Sequence, residues 1–245
     1  MEVFNCFWER RNLGCSAVEV LVDMKDRFYA NDFLSLQNYD YIVVKVPVNK
    51  LDFNFGLSNL GYVMFEMQVD MHANMNSFNF QEKNIKRMLP NISFEEIKSI
   101  DVLDKILSKI TPGMFSTDRI SLDPFFGLER GCNRYINWVR DEFGKDNSKT
   151  IILVYKGENV GFATFKVTSE LIKGLIGGLF PDYQDDGMGL LTPCFAPLYA
   201  KINKLSVKKI INPISSNNKA VWDLYEYFGF KPHRPHYVFI KHNNI

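Results

Sequence analysis

The segment 174–189, which reads GLIGGLFPDYQDDGMG, decides the fold of this 245-residue chain. The apolar run 174–180 predicts a strand, which leads into a Q-x-x-G-x-G turn at 184–189. After the turn the pattern favours a helix that continues to about residue 205. A strand, a glycine-bearing turn and a helix start, in that order, direct several backbone N–H groups toward one point. The segment therefore predicts a site for a phosphate group.

The turn differs from the two common phosphate-binding loops. It lacks the G-x-x-x-x-G-K-[ST] pattern of nucleoside triphosphatases and the G-x-G-x-x-G pattern of dinucleotide-binding folds. Gly187 and Gly189 would let the backbone approach an anion closely. On these residues alone, the turn is equally consistent with a plain loop between a strand and a helix.

The composition is that of a globular chain with a full hydrophobic core. Hydrophobic residues make up 46% of the sequence and charged residues 23%. The net charge of +1 gives no indication of a nucleic-acid or membrane partner. The length allows one large domain or two small ones.

The cysteines and the N-terminus indicate the compartment. The four cysteines are scattered without a C-x-x-C pair, so neither a zinc site nor a disulfide framework is predicted. No apolar run is long enough to cross a bilayer, and the first residues lack a signal-peptide pattern. We therefore expect a reduced, cytoplasmic protein that holds no metal.

Hydrophobic periodicity predicts the other elements. The predicted strands lie at 41–46, 62–69, 149–155, 160–167, 207–214 and 237–241, and the predicted helices at 102–110, 132–143 and 217–228. Segment 51–60 is a helix or a turn, and 72–79 predicts a loop. Ser93 and Asp101 are predicted helix caps. The order of these elements predicts a mixed sheet with helices packed on it, of the α/β or α+β class.

The chain also carries a weak internal echo. Residues 60–62 (LGY) precede a predicted strand, as residues 228–230 (FGF) do. The echo predicts that the N-terminal part repeats a piece of the C-terminal fold.

A second segment, 215–230, bears on function. It opens with capping residues, continues as an amphipathic helix and closes on Gly229, which suits the position after a helix end. Tyr225 shares one face of this helix with Val221, Leu224 and Phe228, so it is also consistent with an ordinary core residue.

Together the two segments resemble the GNAT superfamily of acyl-CoA-dependent N-acetyltransferases, from about residue 118 to the C-terminus. The residues that match its acyl-CoA signature are Leu179, Pro181, Gln184, Gly187 and Gly189. Those that resemble its later helix for cofactor and catalysis are Asn218, Leu224, Tyr225, Gly229 and Phe230. The resemblance implies an α/β (α+β) GNAT fold, with a central mixed, mostly antiparallel sheet that splays into a V.

A closer resemblance is to the dTDP-fucosamine acetyltransferases, which acetylate the amino group of a nucleotide-linked amino-deoxy sugar. It rests on Met114-Phe115, Asp118-Arg119, Asp123, the run 134–138 and Gly161-Phe162. Those enzymes carry a degenerate half-copy of the fold at the N-terminus. The resemblance implies such a domain at 1–100, which shapes the acceptor site, and an acetyl-CoA-binding catalytic domain at 101–245. It also makes a homodimer plausible.

The GNAT resemblance implies a mechanism in which a primary amine attacks acetyl-CoA directly. The pyrophosphate would bind the turn, and the pantetheine arm would add to strand 175–180, splayed from strand 207–214. The Leu179 N–H would stabilise the oxyanion, Tyr225 would protonate the leaving thiolate, and Asn218 would hold the pantetheine arm. The implied cofactor-binding set is Leu179, Gln184, Asp185, Asp186, Gly187, Met188, Gly189, Leu190, Asn218 and Tyr225.

The sequence does not identify the general base. Many relatives place a Glu on the strand before the turn, but 174–180 contains no carboxylate. Glu170 lies upstream, and His236 precedes the last predicted strand, where a lone His is more often structural. A water chain or an amine that is already partly deprotonated would also serve.

Two further departures bear on acyl-CoA binding. Asp185 and Asp186 stand where relatives often carry Arg, Lys or Gly, so binding would rest on backbone N–H groups. Pro193 is tolerable in an early turn of the predicted helix, whereas an interior Pro197 would cost about 3 kcal/mol or a kink.

Two other functions compete with the nucleotide-sugar reading. The first is a GNAT that acts on another small amine or a peptide. The second is a non-catalytic CoA-binding module, which the acidic turn and the missing Glu favour and which Tyr225 and Asn218 oppose.

Overall fold

One mixed sheet organises residues 1–184 and 188–243, the part of the chain that the computed structural model describes. Its strands are β1 (Glu2–Asn5), β2 (Ala17–Leu21), β3 (Tyr41–Pro47), β4 (Val63–Asn74), β5 (Ile92–Glu96), β6 (Ser148–Tyr155), β7 (Glu158–Val167), β8 (Leu171–Leu179), β9 (Lys209–Ser215) and β10 (Lys231–His242). The helices are α1 (Glu9–Leu13), α2 (Ala30–Leu34), α3 (Leu51–Asn59), α4 (Lys83–Met88), α5 (Ile100–Leu107), α6 (Arg119–Leu122), α7 (Gly127–Glu142), α8 (Phe195–Ile202) and α9 (Lys219–Tyr227). Short 3₁₀ helices lie at Leu89–Asn91, Pro181–Tyr183 and Met188–Cys194.

The strand order is β1-β2-β3-β10-β4-β9-β8-β7-β6-β5. The pairs β2/β3 and β8/β9 are parallel, and the other pairs are antiparallel. This confirms the predicted mixed, mostly antiparallel sheet. No helix in the described ranges is both long and apolar enough to cross a membrane.

The predicted repeat is present as two units of equal dimensions. In both β3–α3–β4 and β9–α9–β10 the strand, helix and strand have 7, 9 and 12 residues. Each element of the second unit starts 168 residues after its counterpart, as Lys209 does after Tyr41. Gly61 and Gly229 end the two helices with φ of 80° and 79°. These left-handed conformations favour glycine and explain the echo in the sequence.

The two units exchange their last strands. β10 lies between β3 and β4, and β4 lies between β10 and β9, so each half inserts its final strand beside the other half. The predicted domain boundary at residue 100 stays a prediction. Strands from before and after residue 100 pair with one another in the sheet.

Helices cover both faces of the sheet, which we call face A and face B and define by the residues that follow. On face A, Val69 and Met71 of β4 pack with α8 and α9, and Phe239 of β10 packs with α2 and α3. On face B, Val238 of β10 packs with α6, and Phe162 of β7 packs with α5 and α7. Alternate residues of the central strands therefore lie in different cores.

The predicted V-shaped splay opens between β8 and β9. The two strands pair only from Leu171 to Lys173 of β8, while β8 stays paired with β7 as far as Leu179. A bulge makes Leu175 an extra residue on β8, just beyond the point where its pairing with β9 ends. By contrast, β2 and β3 pair along the whole of β2, so the N-terminal half has no such opening.

Three local predictions are wrong. Ser93 does not cap a helix, because it lies in β5 and pairs with Val154 of β6. The predicted loop at 72–79 begins later, because pairing with β9 extends β4 to Asn74. α5 begins earlier than predicted, and its cap is Ser99, whose hydroxyl accepts a hydrogen bond from the Val102 N–H at 3.4 Å.

The segment after the glycine turn also differs from the predicted continuous helix. Residues Met188–Cys194 form a 3₁₀ helix that contains Pro193, and α8 starts only at Phe195. Pro197 is therefore the third residue of α8. N–H groups in the first turn of a helix have no intrahelical acceptor, so the expected cost of this proline does not arise.

Candidate functional site

The splay exposes backbone groups of β8 to an open slot. The Phe180 N–H donates to the Val160 carbonyl at 2.9 Å. Hydrogen-bonded and non-hydrogen-bonded pairs alternate along an antiparallel ladder, so Leu179, opposite Gly161, directs its N–H and C=O away from β7. Gln184 Nε2 donates to the Leu179 carbonyl at 3.3 Å. The Leu179 N–H is then a hydrogen-bond donor that faces the slot.

Three residues of β8 beyond its pairing with β9 are glycines, namely Gly174, Gly177 and Gly178. A Cβ on Gly174 would overlap the Asn212 side chain of β9, and one on Gly178 would meet the Phe115 ring at 3.3 Å on face B. By the same alternation, Gly177 directs its N–H toward the slot. Glycines in a strand let a backbone-like ligand approach it closely.

The structure brings several of the predicted turn residues to the end of β8. Met188 is buried in the same core as Leu179, and Gly189 and Leu190 are half-buried in the 3₁₀ helix that packs between β8 and α9. The predicted residues Asp185, Asp186 and Gly187 lie outside the described residues.

Tyr225 lies in α9, in the core that also holds Leu179 and Met188. Its ring packs edge-on against Phe230 at 4.8 Å between centroids. Burial, together with the neighbouring Cys194 thiol, raises the pKa of the Tyr225 phenol well above its ordinary value. The phenol therefore keeps its proton at neutral pH and can act as an acid.

Asn218 has a structural task at the start of α9. Its Oδ1 accepts a hydrogen bond from the Val221 N–H at 3.2 Å, which caps the helix. The amide NH₂ of the same side chain remains as a donor toward a ligand.

Of the two general-base candidates from the sequence, Glu170 lies far from the slot, and His236 lies two strands from β9 but lines the cavity described below. Glu170 is 63% exposed in the turn before β8 and pairs with Lys208 at 2.8 Å. The strand separates it from Leu179 by about 30 Å. His236 lies inside β10, with Nδ1 2.8 Å from the Arg234 carbonyl oxygen, and β4 lies between it and β9.

Sequence reasoning missed Glu66, a carboxylate on face B. Glu66 is 3% exposed, and it accepts hydrogen bonds from Gln68 Nε2 at 3.2 Å and from the Ser215 hydroxyl. Ser215 ends β9 at the slot. The available signal was a lone charged residue inside the apolar run 62–69.

A cavity of about 480 Å³ lies beside these residues and draws on both halves of the chain. Its lining includes Leu21, Lys45, Gln68, Asp70, Pro213 and His236. Charged groups of both signs and several apolar side chains suit a polar organic ligand. Within residues 1–184 and 188–243, no cluster of three or more His, Cys, Asp or Glu side chains could hold a metal ion.

The N-terminal repeat unit lacks the corresponding groups. At the positions 168 residues earlier, Leu57 stands for Tyr225 and Pro47 for Ser215. Because β2 stays paired with β3, the N-terminal unit has no slot. It also lacks the side chains that correspond to Tyr225 and Ser215.

Comparison with solved structures agrees with this architecture. A GCN5-related N-acetyltransferase from Sphaerobacter thermophilus matches 99% of this chain and 76% of its own, with a TM-score of 0.61 and 12% identity. One from Kribbella flavida matches 92% and 81%, with a TM-score of 0.56 and 9% identity. A tandem GNAT protein from the clavulanic acid biosynthesis pathway matches 94% and 76%, with a TM-score of 0.55 and 10% identity.

The chain therefore has the fold of the GCN5-related N-acetyltransferases. No protein-family model matches the sequence, and no curated protein matches it either. At identities of 9–12% the likeness establishes the fold, and the activity has to be argued from the slot and its residues.

Proposed function

We propose that this protein is an acetyl-CoA-dependent N-acetyltransferase that moves an acetyl group onto a primary amine. One observation carries the proposal: a slot between β8 and β9 that presents the Leu179 N–H beside the core that holds Tyr225. Acyl transfer from a thioester needs an oxyanion donor and an acid for the thiolate, and these two groups are of those kinds.

Acetyl-CoA would enter along the open edge of β8. The pantetheine arm carries amide groups, which can pair with the free backbone of Gly177 and Leu179 as an added strand would. The pyrophosphate would lie at the turn that follows, from Gln184 to Leu190. The Asn218 amide, at the start of α9, would contact the pantetheine arm.

The chemistry is a direct attack of the amine nitrogen on the thioester carbon. The Leu179 N–H would stabilise the negative charge that develops on the carbonyl oxygen. As the C–S bond breaks, Tyr225 would give its proton to the departing thiolate. Its raised pKa keeps that proton available across the neutral range.

For the acceptor we propose the amino group of a nucleotide-linked amino-deoxy sugar. The proposal is supported by the sequence resemblance at 114–138 and by the cavity of about 480 Å³ on face B. That volume lies within the range of small-molecule sites. The cavity borders β9 at Pro213, so an acceptor in it would lie beside the slot.

The first test is thermal stability with and without acetyl-CoA. A ligand present at about 100 times its Kd adds about 2.7 kcal/mol to the unfolding free energy. We expect a clear rise in Tm, and its absence at millimolar acetyl-CoA would sink the proposal.

The second test separates chemistry from binding. With dTDP-4-amino-4,6-dideoxygalactose as acceptor, Tyr225→Phe should keep the acetyl-CoA stabilisation and slow thiol release by about 10² or more. Tyr227→Phe is the matched control, because Tyr227 lies in the same helix but is 59% exposed. Equal rates in both variants would remove Tyr225 from the acid role. Acetylation of other primary amines alone would reject the nucleotide-sugar acceptor.

A further inference from the structure

We propose that Ser215 and Glu66 form a proton relay that accepts the proton of the acceptor amine, with Ser215 in contact with the amine and Glu66 behind it. The inference rests on the proposed N-acetyltransferase function and supplies the base that β8 lacks. The strand exchange would then complete the site, because Glu66 belongs to β4 of the N-terminal unit and Ser215 to β9 of the C-terminal unit.

The hydrogen bonds run in the direction that a relay needs. The Ser215 hydroxyl donates to Glu66 Oε2 and accepts from the Asn217 N–H at 3.1 Å. One lone pair of that hydroxyl remains for an ammonium N–H. Gln68 Nε2 holds the other oxygen of the Glu66 carboxylate at 3.2 Å. Glu66 is buried and Ser215 half-buried, so the amine would reach the hydroxyl first.

The register places the relay across the slot from β8. Pairing ends at Lys173 of β8 and Ile211 of β9, and the two strands run parallel. Ser215 is four residues beyond Ile211, as Gly177 is beyond Lys173. Counted from the last paired residues, Ser215 therefore lies at about the level of Gly177 on the diverging strands.

Charged side chains of both signs surround Glu66 on face B. Lys45 of β3 and Arg119 of α6 lie within electrostatic reach of Glu66. Glu19 of β2 lies beyond them, and it pairs with Lys45 at 2.9 Å and approaches Arg119 at 3.8 Å. His236 of β10 lies opposite Gln68 in the sheet.

The proton transfers balance over one acetyl transfer. The ammonium gives one proton to Ser215 as Ser215 passes its own to Glu66, and the free amine then forms the C–N bond. The C–S bond breaks, and the thiolate takes the proton of Tyr225. Tyr225 regains a proton from the new amide nitrogen, and Glu66 releases its proton to water.

The experiment uses two small nucleophiles at saturating acetyl-CoA. Ethanolamine is protonated at neutral pH and needs a base, whereas hydroxylamine is mostly unprotonated there. For Glu66→Gln and Ser215→Ala we expect kcat/KM for ethanolamine to fall by about 10² or more at pH 7. The hydroxylamine rate should stay within about twofold of wild type.

A pH profile separates a relay from a structural role. Without the relay, kcat/KM for ethanolamine should rise about tenfold per pH unit, because only the neutral amine reacts, and meet the wild-type value near the pKa of the amine. Equal losses at every pH, or with both nucleophiles, would overturn the relay.

Matched controls lie next to each position. Ser216 also bonds β4, since its hydroxyl accepts from the Met67 N–H at 2.9 Å, but Ser216→Ala should retain the ethanolamine rate. Glu170→Gln should retain it as well. If acetyl-CoA stabilises none of the proteins, the proposed function fails. If it stabilises all of them and the variants acetylate ethanolamine at the wild-type rate, the relay alone fails.

Discussion

Replacing Phe239 by Ala tests whether the strand exchange couples the two halves of the chain. Phe239 lies in β10, near the C-terminus, yet its side chain is 3% exposed inside the core of β2, β3, α2 and α3. Removing a buried Phe costs about 3–5 kcal/mol. Because whole domains are stable by only about 5–15 kcal/mol, this is a large fraction of the unfolding free energy. We expect it to destabilise both halves of the chain.

The assay is urea unfolding followed by tryptophan fluorescence. The chain has three Trp residues, and single-Trp variants can keep Trp8, beside α1, or Trp222, in α9. With a slope of about 3 kcal/mol per molar urea, Phe239→Ala should lower the midpoint by about 1–2 M. We expect the Trp8 and Trp222 transitions to shift together, since β10 and β4 pair along most of their length.

One result would refute this reasoning. A lower midpoint for the Trp8 transition, with the Trp222 transition unchanged, would show that the halves unfold independently despite the shared strands. Phe55→Ala is the control for Phe239→Ala. Phe55 lies in α3, which helps to form the core that Phe239 enters, but its side chain is 71% exposed, so we expect a change of no more than about 0.5 kcal/mol.

Three further predictions concern stability. Ala at Gly61 or at Gly229 should each cost about 1–2 kcal/mol in urea unfolding, because φ is 80° and 79°. Glu9→Gln should cost about 3–5 kcal/mol in the same assay, because it removes the partner of a largely buried Arg134 at 2.7 Å. Burial lowers the pKa of His72 to about 4, so the unfolded chain binds its proton first, and Tm should fall as pH drops from about 6.5 toward 4. His72→Asn should flatten that part of the Tm curve, and an unchanged slope would contradict the assignment.

Much of the C-terminal fold was readable because its signals are local. Neighbouring residues specify the hairpin of β6 and β7, the glycine after α9 and the capping segment before α9. Gly61 and Gly229 even predicted the repeat, since both end a helix in the same left-handed conformation. Residues 1–40 yielded no predicted element, although the Val-rich run 17–22 is a local strand pattern and forms β2.

The residues of the candidate site likewise divide into those with a local sequence signal and those without one. The roles of Leu179 and Tyr225 were implied by the GNAT resemblance, whose motif residues lie close to them in the chain, and the structure places both residues in one core. Glu66 was not predicted, because its partner Ser215 lies 149 residues away. Glu170 was a candidate only because it precedes β8, and the length of that strand removes it from the slot.

The sequence by itself determined the strand, turn and helix pattern of the C-terminal unit, because backbone preference and hydrophobic period act over a few residues. Only the tertiary structure decided that β4 and β10 exchange places, that pairing between β8 and β9 stops at Lys173, and that Glu66 meets Ser215. Those features depend on which distant strands pair and on which face each side chain emerges. Strand pairing is a property of the whole sheet, and no single segment encodes it.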